Sequence, residues 1–172
     1  MLTKLVTAAQ NGDKQAFTEL MELCAATMYK IARSFFREPM DIDDSIAETV
    51  MLCWKNLGSL KKPEYFKTWL CRILINTCIT MRSSNENHIS LDSLTENEHP
   101  ATQEQLDQAD DFSFLMELTD QRFRLVMILF YGEGFKISEI SEMTGMPQGT
   151  VSSYLKRGRD TLAEKLRKEK LI

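Results

Sequence analysis

A set of small, polar and basic side chains near the carboxyl end of the chain has the composition of a nucleic-acid-binding surface. At about 100° per residue, five of them fall on one face of a helix: Gly149, Ser152, Ser153, Lys156 and Arg157. Small residues let a helix sink into the DNA major groove, where hydroxyl and cationic groups meet base edges and phosphates. The pattern favours DNA binding, and the alternative is an ordinary helical hairpin with a solvated face.

The element that positions this face is the second helix of a predicted helix-turn-helix at residues 137–155. Gly145 is expected to end the first helix, and Pro147 sits at the start of the second. Ser141 is a small residue at which the two helices are expected to cross closely. Apolar residues recur at helical spacing on the side of the second helix that is predicted to be buried: Val151, Leu155, Leu162 and Leu166.

The sequence shows no arrangement of residues suited to catalysis or metal binding. The cysteines form no CxxC pair and have no histidine at ligand spacing. His88 and His99 have no partner ligands nearby in the sequence. We therefore expect no enzyme, no catalytic or metal site, no cofactor and no small-molecule substrate. The chain also lacks an export signal and an apolar run of membrane-spanning length, which predicts a cytoplasmic protein without direct membrane insertion.

Charge is distributed unevenly along the chain. The net charge is −4, yet residues 83–111 contain eight acidic residues and no lysine or arginine, so the remainder carries +4. That segment is polar and has no sustained hydrophobic period, which predicts a linker. The chain is therefore expected to be all-α, with helical domains at residues 1–82 and 112–172 joined by an acidic linker at 83–111.

The predicted helix at residues 39–57 has a mixed outer face. Its inward stripe is expected to contain Ile46, Val50, Cys53, Trp54 and Leu57. Its outward face is expected to contain Asp44, Glu48, Met51, Leu52 and Lys55. Acidic residues at 41–44 stand where carboxylates cap a helix. Apolar side chains exposed among carboxylates favour a protein partner, and the alternative is a solvated helix.

A loop at residues 58–64 precedes a predicted helix at residues 65–82. Lys61 and Lys62 adjoin an aromatic cluster, Tyr65, Phe66 and Trp69, that is able to stack on an unpaired base. For Phe66 and Trp69 we favour the alternative that they fill the core. Three apolar residues of this helix are expected to point outward: Cys71, Ile75 and Ile79.

Three segments together resemble a known family. Residues 41–54, 66–79 and 137–162 are similar to regions 2.2, 2.4 and 4.2 of bacterial RNA polymerase sigma factors, sigma-70 family, extracytoplasmic-function (group 4) type. A helix-turn-helix alone is shared by many regulators, but the three segments occur in the family's order. The resemblance implies a sigma factor that binds core RNA polymerase and directs initiation at promoters, and implies an anti-sigma factor as a further partner.

The resemblance also implies a role for each surface. The −35 element would be contacted by Gln148, Gly149, Thr150, Ser152, Ser153, Tyr154, Lys156 and Arg157. The 58–64 loop would hold a flipped base of the −10 element, with DNA contacts from Lys61, Lys62, Arg72 and Asn76. Core polymerase, through its clamp and flap regions, would be the partner of a surface formed by Asp41, Asp44, Glu48, Met51 and Leu52.

The chain departs from the family at several of these positions. Tyr154 stands where the family commonly has arginine, Gly158 where it has alanine, and Ile75 where it often has a basic residue. We expect Cys71, Ile75 and Ile79 to form an apolar surface that an anti-sigma partner covers. The main alternative function is a stand-alone helix-turn-helix regulator, and a third is a helical adaptor that contacts proteins only.

Overall fold

The structure is a computed structural model that describes residues 1–85 and 111–172. The described residues form helices and turns, and none of them lies in a β-strand. The all-α prediction is therefore confirmed. The chain divides into two compact units, Met1–Asn87 and His88–Ile172. Most of the predicted linker, with both histidines, lies outside the described residues, but residues 83–85 continue a helix and Asp111 begins the next helix that the structure describes.

The first unit contains four α-helices and two short 3₁₀ turns. In chain order these are α1 (Leu2–Gln10), α2 (Lys14–Phe35), α3 (Pro39–Asn56), the turns Leu57–Ser59 and Pro63–Tyr65, and α4 (Phe66–Asn85). Gly12 adopts a positive φ of 91° between the first two helices, and the Asp13 carboxylate accepts a hydrogen bond from the Ala16 N–H at 3.0 Å. Helix α2 contacts α1, α3 and α4, so the core of this unit forms around it.

The buried face of α3 differs from the predicted stripe. Ile42, Ser45, Thr49 and Cys53 are buried, whereas Trp54 is 40 % exposed. The hydroxyls of Ser45 and Thr49 donate to carbonyl oxygens of the same helix, at 2.8 and 2.7 Å, which removes the cost of burying them. The prediction is confirmed for Cys53 and Leu57, which are buried, and was wrong for Trp54. It missed Ser45 and Thr49 because hydropathy does not register a hydroxyl that its own helix satisfies. The N-cap of the helix is Glu38, so none of the acidic residues at 41–44 is the cap, but Asp41 lies in the first turn, near the positive end of the helix.

The prediction that Cys71 and Ile75 point outward from α4 was wrong. Their side chains are 2 % and 0 % exposed, and Ile79 is half-buried. Helix α4 packs against both α2 and α3, so it is buried on more than one side. The apolar surface expected from these three residues therefore does not exist, and a cation at position 75 would be buried.

The second unit contains α5 (Asp111–Leu118), α6 (Gln121–Met127, continued by a π-helical turn at Ile128–Gly132), α7 (Ile137–Thr144) and α8 (Gln148–Lys168). Helices α6 and α7 both pack near α8. Arg124 of α6 is buried, with 5 % of the residue exposed. Its guanidinium donates to the carbonyl oxygens of Met116 at 2.7 Å and Thr119 at 2.9 Å, so a buried cation satisfies the carboxyl end of α5.

Candidate nucleic-acid interface

Helix α8 presents the polar face that the sequence predicted. Val151 and Leu155 are buried at 0 % and 3 % exposure and seat the helix on its unit. The other side carries the five residues of the predicted DNA-binding face. Gly149, Ser152, Lys156 and Arg157 are exposed, and Ser153 is half-buried. Helix α8 therefore offers small, hydroxyl and cationic groups to a ligand on one side only.

The turn before α8 is closed by local interactions. Gly145 adopts the left-handed conformation, with φ 75°, and ends α7 as predicted. The Ser141 hydroxyl donates to the Met146 carbonyl oxygen at 2.6 Å and so ties the end of α7 to the turn.

The other residues predicted to contact the −35 element differ in accessibility. Gln148 is exposed at the first position of α8, while Thr150 is half-buried. Tyr154 is also half-buried, and its ring stands edge-on to that of Phe123, 5.2 Å away between centroids. Tyr154 thus contributes to packing within the unit, which an arginine at this position would do less well.

Helix α8 is held against α6 by contacts that the sequence analysis missed. A Cβ atom at the buried Gly158 would lie 3.0 Å from the Met127 sulfur and 3.1 Å from the Phe123 Cβ, so the helices approach closely there. On α8 the adjacent Arg159 donates to the Tyr131 hydroxyl at 2.9 Å. Lys165 forms an ion pair with Asp120. Together these contacts set the orientation of the predicted DNA-binding face of α8.

The segment between α3 and α4 places cationic and aromatic groups at the surface of the first unit. Lys61 and Lys62 are exposed, and the Lys62 ammonium lies 5.7 Å from the centroid of the Tyr65 ring. Tyr65 is 54 % exposed, whereas Phe66 is fully buried and Trp69 is half-buried. The core alternative is therefore correct for Phe66. Tyr65 is the member of the cluster with a ring open to stacking.

A groove of about 600 Å³ lies between α3 and α4. Its α3 wall includes Asp44, Glu48 and Leu52, and its α4 wall includes Ile73, Asn76 and Met81. The groove thus brings residues predicted to bind polymerase next to Asn76, which was predicted to bind DNA. Arg72 and Asn76 are both exposed on α4, but the carboxylates beside Asn76 disfavour a phosphate there. Met51 is 66 % exposed and Asp41 half-buried on the same helix α3.

The cysteines lie in the core of the first unit. All four are buried, and burial raises the pKa values of Cys53 and Cys78 to about 12. These thiols are therefore protonated at neutral pH and unreactive. Within residues 1–85 and 111–172, no group of histidine, cysteine and acidic side chains is arranged to hold a metal ion. None of the helices in that part of the chain is long and apolar enough to cross a membrane.

Family models match both units. The model described as "Sigma-70 region 2" matches residues 20–87, and the model described as "Sigma-70, region 4" matches residues 115–162. The first match covers most of α2 and all of α3 and α4, and the second covers the predicted helix-turn-helix at residues 137–155. The two regions follow each other in the order that the sequence motifs predicted.

Curated relatives match over nearly the whole chain. ECF RNA polymerase sigma factor SigW of Bacillus subtilis is 24 % identical, and the match covers 97 % of each chain. RNA polymerase sigma factor SigV of the same organism is 26 % identical over 92 % of this chain and 98 % of its own. ECF RNA polymerase sigma factor SigM of Mycobacterium tuberculosis is 25 % identical over 95 % of this chain and 83 % of its own.

Solved structures share the fold. CnrH, in complex with the cytosolic domain of CnrY, superposes with a TM-score of 0.64 at 22 % identity, over 96 % of this chain and 97 % of CnrH. The sigma factor RpoE of Bartonella quintana, in complex with the anti-sigma factor NepR, superposes with a TM-score of 0.63 at 24 % identity. The match covers 88 % of this chain and 96 % of RpoE. With both family regions matched in order and ECF sigma factors similar along the full length, the chain belongs to the sigma-70 family, in its ECF group.

Proposed function

We propose that this chain binds core RNA polymerase and directs it to specific promoters, where the second unit contacts the −35 element and the first captures melted −10 DNA. The observation that carries the proposal is the one-sided helix α8, in a chain whose other unit matches sigma-70 region 2. The protein supplies recognition, and we propose that it has no enzymatic activity of its own. Its place of work would be the cytoplasm, where core polymerase and promoter DNA are found.

In the second unit, α8 would enter the major groove with its exposed face. Gly149 and Ser152 would allow close approach, and Lys156 and Arg157 would meet phosphates and base edges. Lys156 forms an exposed ion pair with Asp160 at 3.2 Å, and such a pair is weak enough to exchange for a phosphate. Among the residues predicted to contact the −35 element, we propose that Tyr154 acts by supporting helix α8 and not by touching DNA.

In the first unit, the 58–64 segment with Tyr65 would receive a base that has left the stack. Unstacking a base costs a few kcal/mol, and a fitted, cationic and aromatic site offsets that cost. Lys61 and Lys62 would meet the backbone of the unpaired strand, and Arg72 would add a contact from α4. Asn76 is better placed to contact whatever occupies the groove between α3 and α4.

The outer surface of α3 would bind the polymerase clamp. Asp44, Glu48 and Leu52 line the groove, and the neighbouring Met51 is exposed, which combines apolar area with negative charge. We propose that an anti-sigma factor covers this same surface. Support comes from the fold relatives CnrH and RpoE, whose structures were solved with CnrY and with an anti-sigma factor, respectively.

Reconstitution of the full chain with bacterial core polymerase tests the proposal. We expect the reconstituted enzyme to initiate at promoters selected from genomic fragments. A Lys156→Glu, Arg157→Glu variant should lose initiation while keeping core affinity. The control is Lys168→Glu on the same helix, because Lys168 is exposed at the far end and pairs with Glu164 at 2.8 Å. If the polymerase does not retain the chain, or starts RNA synthesis identically with and without it, the proposal is wrong.

The free chain should bind promoter DNA weakly and with strong salt dependence, because its local basic surface is small. A stand-alone regulator would instead bind a palindrome tightly without polymerase. Nanomolar, sequence-specific binding by the isolated chain at physiological salt would therefore favour that alternative.

A further inference from the structure

The last residue of α1 reaches across to the turn that follows α3. The side-chain Nε2 atom of Gln10 donates to two main-chain carbonyl oxygens, that of Leu57 at 3.0 Å and that of Leu60 at 2.8 Å. A carboxamide nitrogen has two hydrogens, so both are used in this contact. The Gln10 side chain thus bridges the first residue of the Leu57–Ser59 turn and Leu60, the residue that follows the turn. Gln10 is about 50 residues away from them in sequence.

The turn is held from two sides. The side chains of Leu57 and Leu60 are buried, at 2 % and 9 % exposure, and anchor it to the core. The Leu60 N–H donates to the Leu57 carbonyl oxygen at 3.2 Å, which is a long bond within a single 3₁₀ turn. Gln10 reinforces this weak turn by bonding the same Leu57 oxygen and the Leu60 oxygen from the outside.

The residues proposed to capture a base follow directly. Lys61 is the next residue after Leu60, and Lys62 and Tyr65 complete the exposed cationic and aromatic surface. The main chain just before these residues is fixed by the hydrogen bonds from Gln10 to the Leu57 and Leu60 carbonyl oxygens. Gln10 itself precedes the segment matched by the sigma-70 region 2 model, which begins at residue 20.

We propose that Gln10 is a positioning residue for −10 base capture, acting through the backbone of the Leu57–Leu60 turn and not by touching DNA. The inference rests on the proposed function of the 58–64 segment. A preorganised site binds more tightly because its ordering cost is met during folding and not at the moment of binding. Without the two hydrogen bonds, the turn would have to be ordered each time a base is captured.

The test uses holoenzyme made from the full chain and bacterial core polymerase. The probe is a fluorescent single-stranded oligonucleotide that carries the non-template −10 sequence of a promoter the wild-type holoenzyme uses. A second probe lacks one base, at the position where an abasic scan shows the largest loss for the wild type. Gln10→Met keeps the length of the side chain and removes both donors. Thr7→Ala is the control, because Thr7 is exposed one turn earlier on α1 and bonds only within that helix, to the Thr3 carbonyl oxygen.

We expect Gln10→Met to bind the intact oligonucleotide about tenfold more weakly, which corresponds to about 1.4 kcal/mol and is in the range for two neutral hydrogen bonds. Binding to the abasic oligonucleotide, affinity for core polymerase and binding to a duplex −35 fragment should match the wild type. Gln10→Glu should lose more, because it places a carboxylate against two carbonyl oxygens. Thr7→Ala should behave as wild type on both probes.

Two results would overturn the inference alone: unchanged binding of the intact probe by Gln10→Met, or equal weakening on intact and abasic probes. A variant that loses core affinity as well would also overturn it, since Gln10 would then support the whole unit. If the wild-type holoenzyme itself shows no base-dependent binding, the proposed function of the 58–64 segment fails, and the role of Gln10 fails with it.

Discussion

Replacing Arg124 by methionine should selectively destabilise the second unit. The guanidinium makes charged hydrogen bonds to the carbonyl oxygens of Met116 and Thr119, at 2.7 and 2.9 Å, and a longer one of 3.3 Å to that of Glu117. Bonds that involve a charged donor contribute about 1.5–3 kcal/mol each. Methionine fills similar space but leaves these carbonyls without this donor at the end of α5. We therefore expect a loss of about 3–5 kcal/mol.

The positions of the two tryptophans make the assay specific. Trp54 and Trp69 both lie in the first unit, so tryptophan fluorescence reports on that unit alone, while far-ultraviolet circular dichroism reports on both. With a denaturant slope of about 1 kcal/mol/M for a unit of this size, a loss of about 3–5 kcal/mol should move the dichroism transition of Arg124→Met down by about 3–5 M urea. The fluorescence midpoint should stay at its wild-type value.

The control variant is Arg122→Met, two residues earlier on the same helix. Arg122 is exposed, and its guanidinium carbon lies 5.8 Å from the centroid of the Phe123 ring, a contact that contributes at most about 1 kcal/mol. Its dichroism transition should move by less than about 1 M urea. If Arg124→Met shifts the transition no further than this control, or shifts the fluorescence midpoint equally, the carbonyl-capping argument is refuted.

Two further predictions concern stability. Gly158→Ala should gain about 1 kcal/mol in helix propensity but lose about 2 kcal/mol to overpacking against α6, a net loss of about 1 kcal/mol in urea denaturation. Gly149→Ala is its control, since an added Cβ there meets nothing within 4 Å. If Gly158→Ala is instead more stable than the wild type, the side chains of α6 move aside to accommodate the added methyl group. The second prediction follows from the pKa values of Cys53 and Cys78, raised by burial from 9.0 to about 12. The unfolded chain loses these protons first, so stability should fall between about pH 9 and 12 by up to about 1.4 kcal/mol per pH unit per thiol, and a Cys53→Ala, Cys78→Ala variant should show a flatter dependence.

The helices were predictable from sequence where their apolar period or end signals were strong. Gly145 ends α7 as predicted, and Val151 and Leu155 form the buried side of α8. The exposed face of α8 follows from the same period. The family assignment was also predictable, because it depends on motifs and their order and not on which side of a helix is buried.

The faces of α3 and α4 were not predictable in the same way. A single hydrophobic stripe describes a helix that packs on one side, but Ile75 is buried because α4 packs on two neighbours. Ser45 is buried because its hydroxyl is satisfied by the Ile42 carbonyl oxygen of its own helix. Trp54 remains partly exposed because it lies at the edge of the core, where its ring packs edge-on against Phe17, 4.8 Å away between centroids.

The residues that orient the site were missed because their roles depend on distant main-chain atoms. Gln10 bonds carbonyls nearly 50 residues away, and Arg124 bonds the end of the preceding helix. Neither contact leaves a periodic signal in the sequence. A buried arginine is also the opposite of what hydropathy predicts, and it is accommodated because several carbonyl oxygens surround it.

Packing around Gly158, in the interior of the second unit, influences which promoters are used. The distance between α6 and α8 at this point is set by the absence of one methyl group and by the shapes of Met127 and Phe123. A change in either side chain would tilt or shift helix α8 without altering the identity of any residue that we propose contacts DNA. Promoter preference in such a protein is therefore able to evolve through packing substitutions that no comparison of DNA-facing residues would detect.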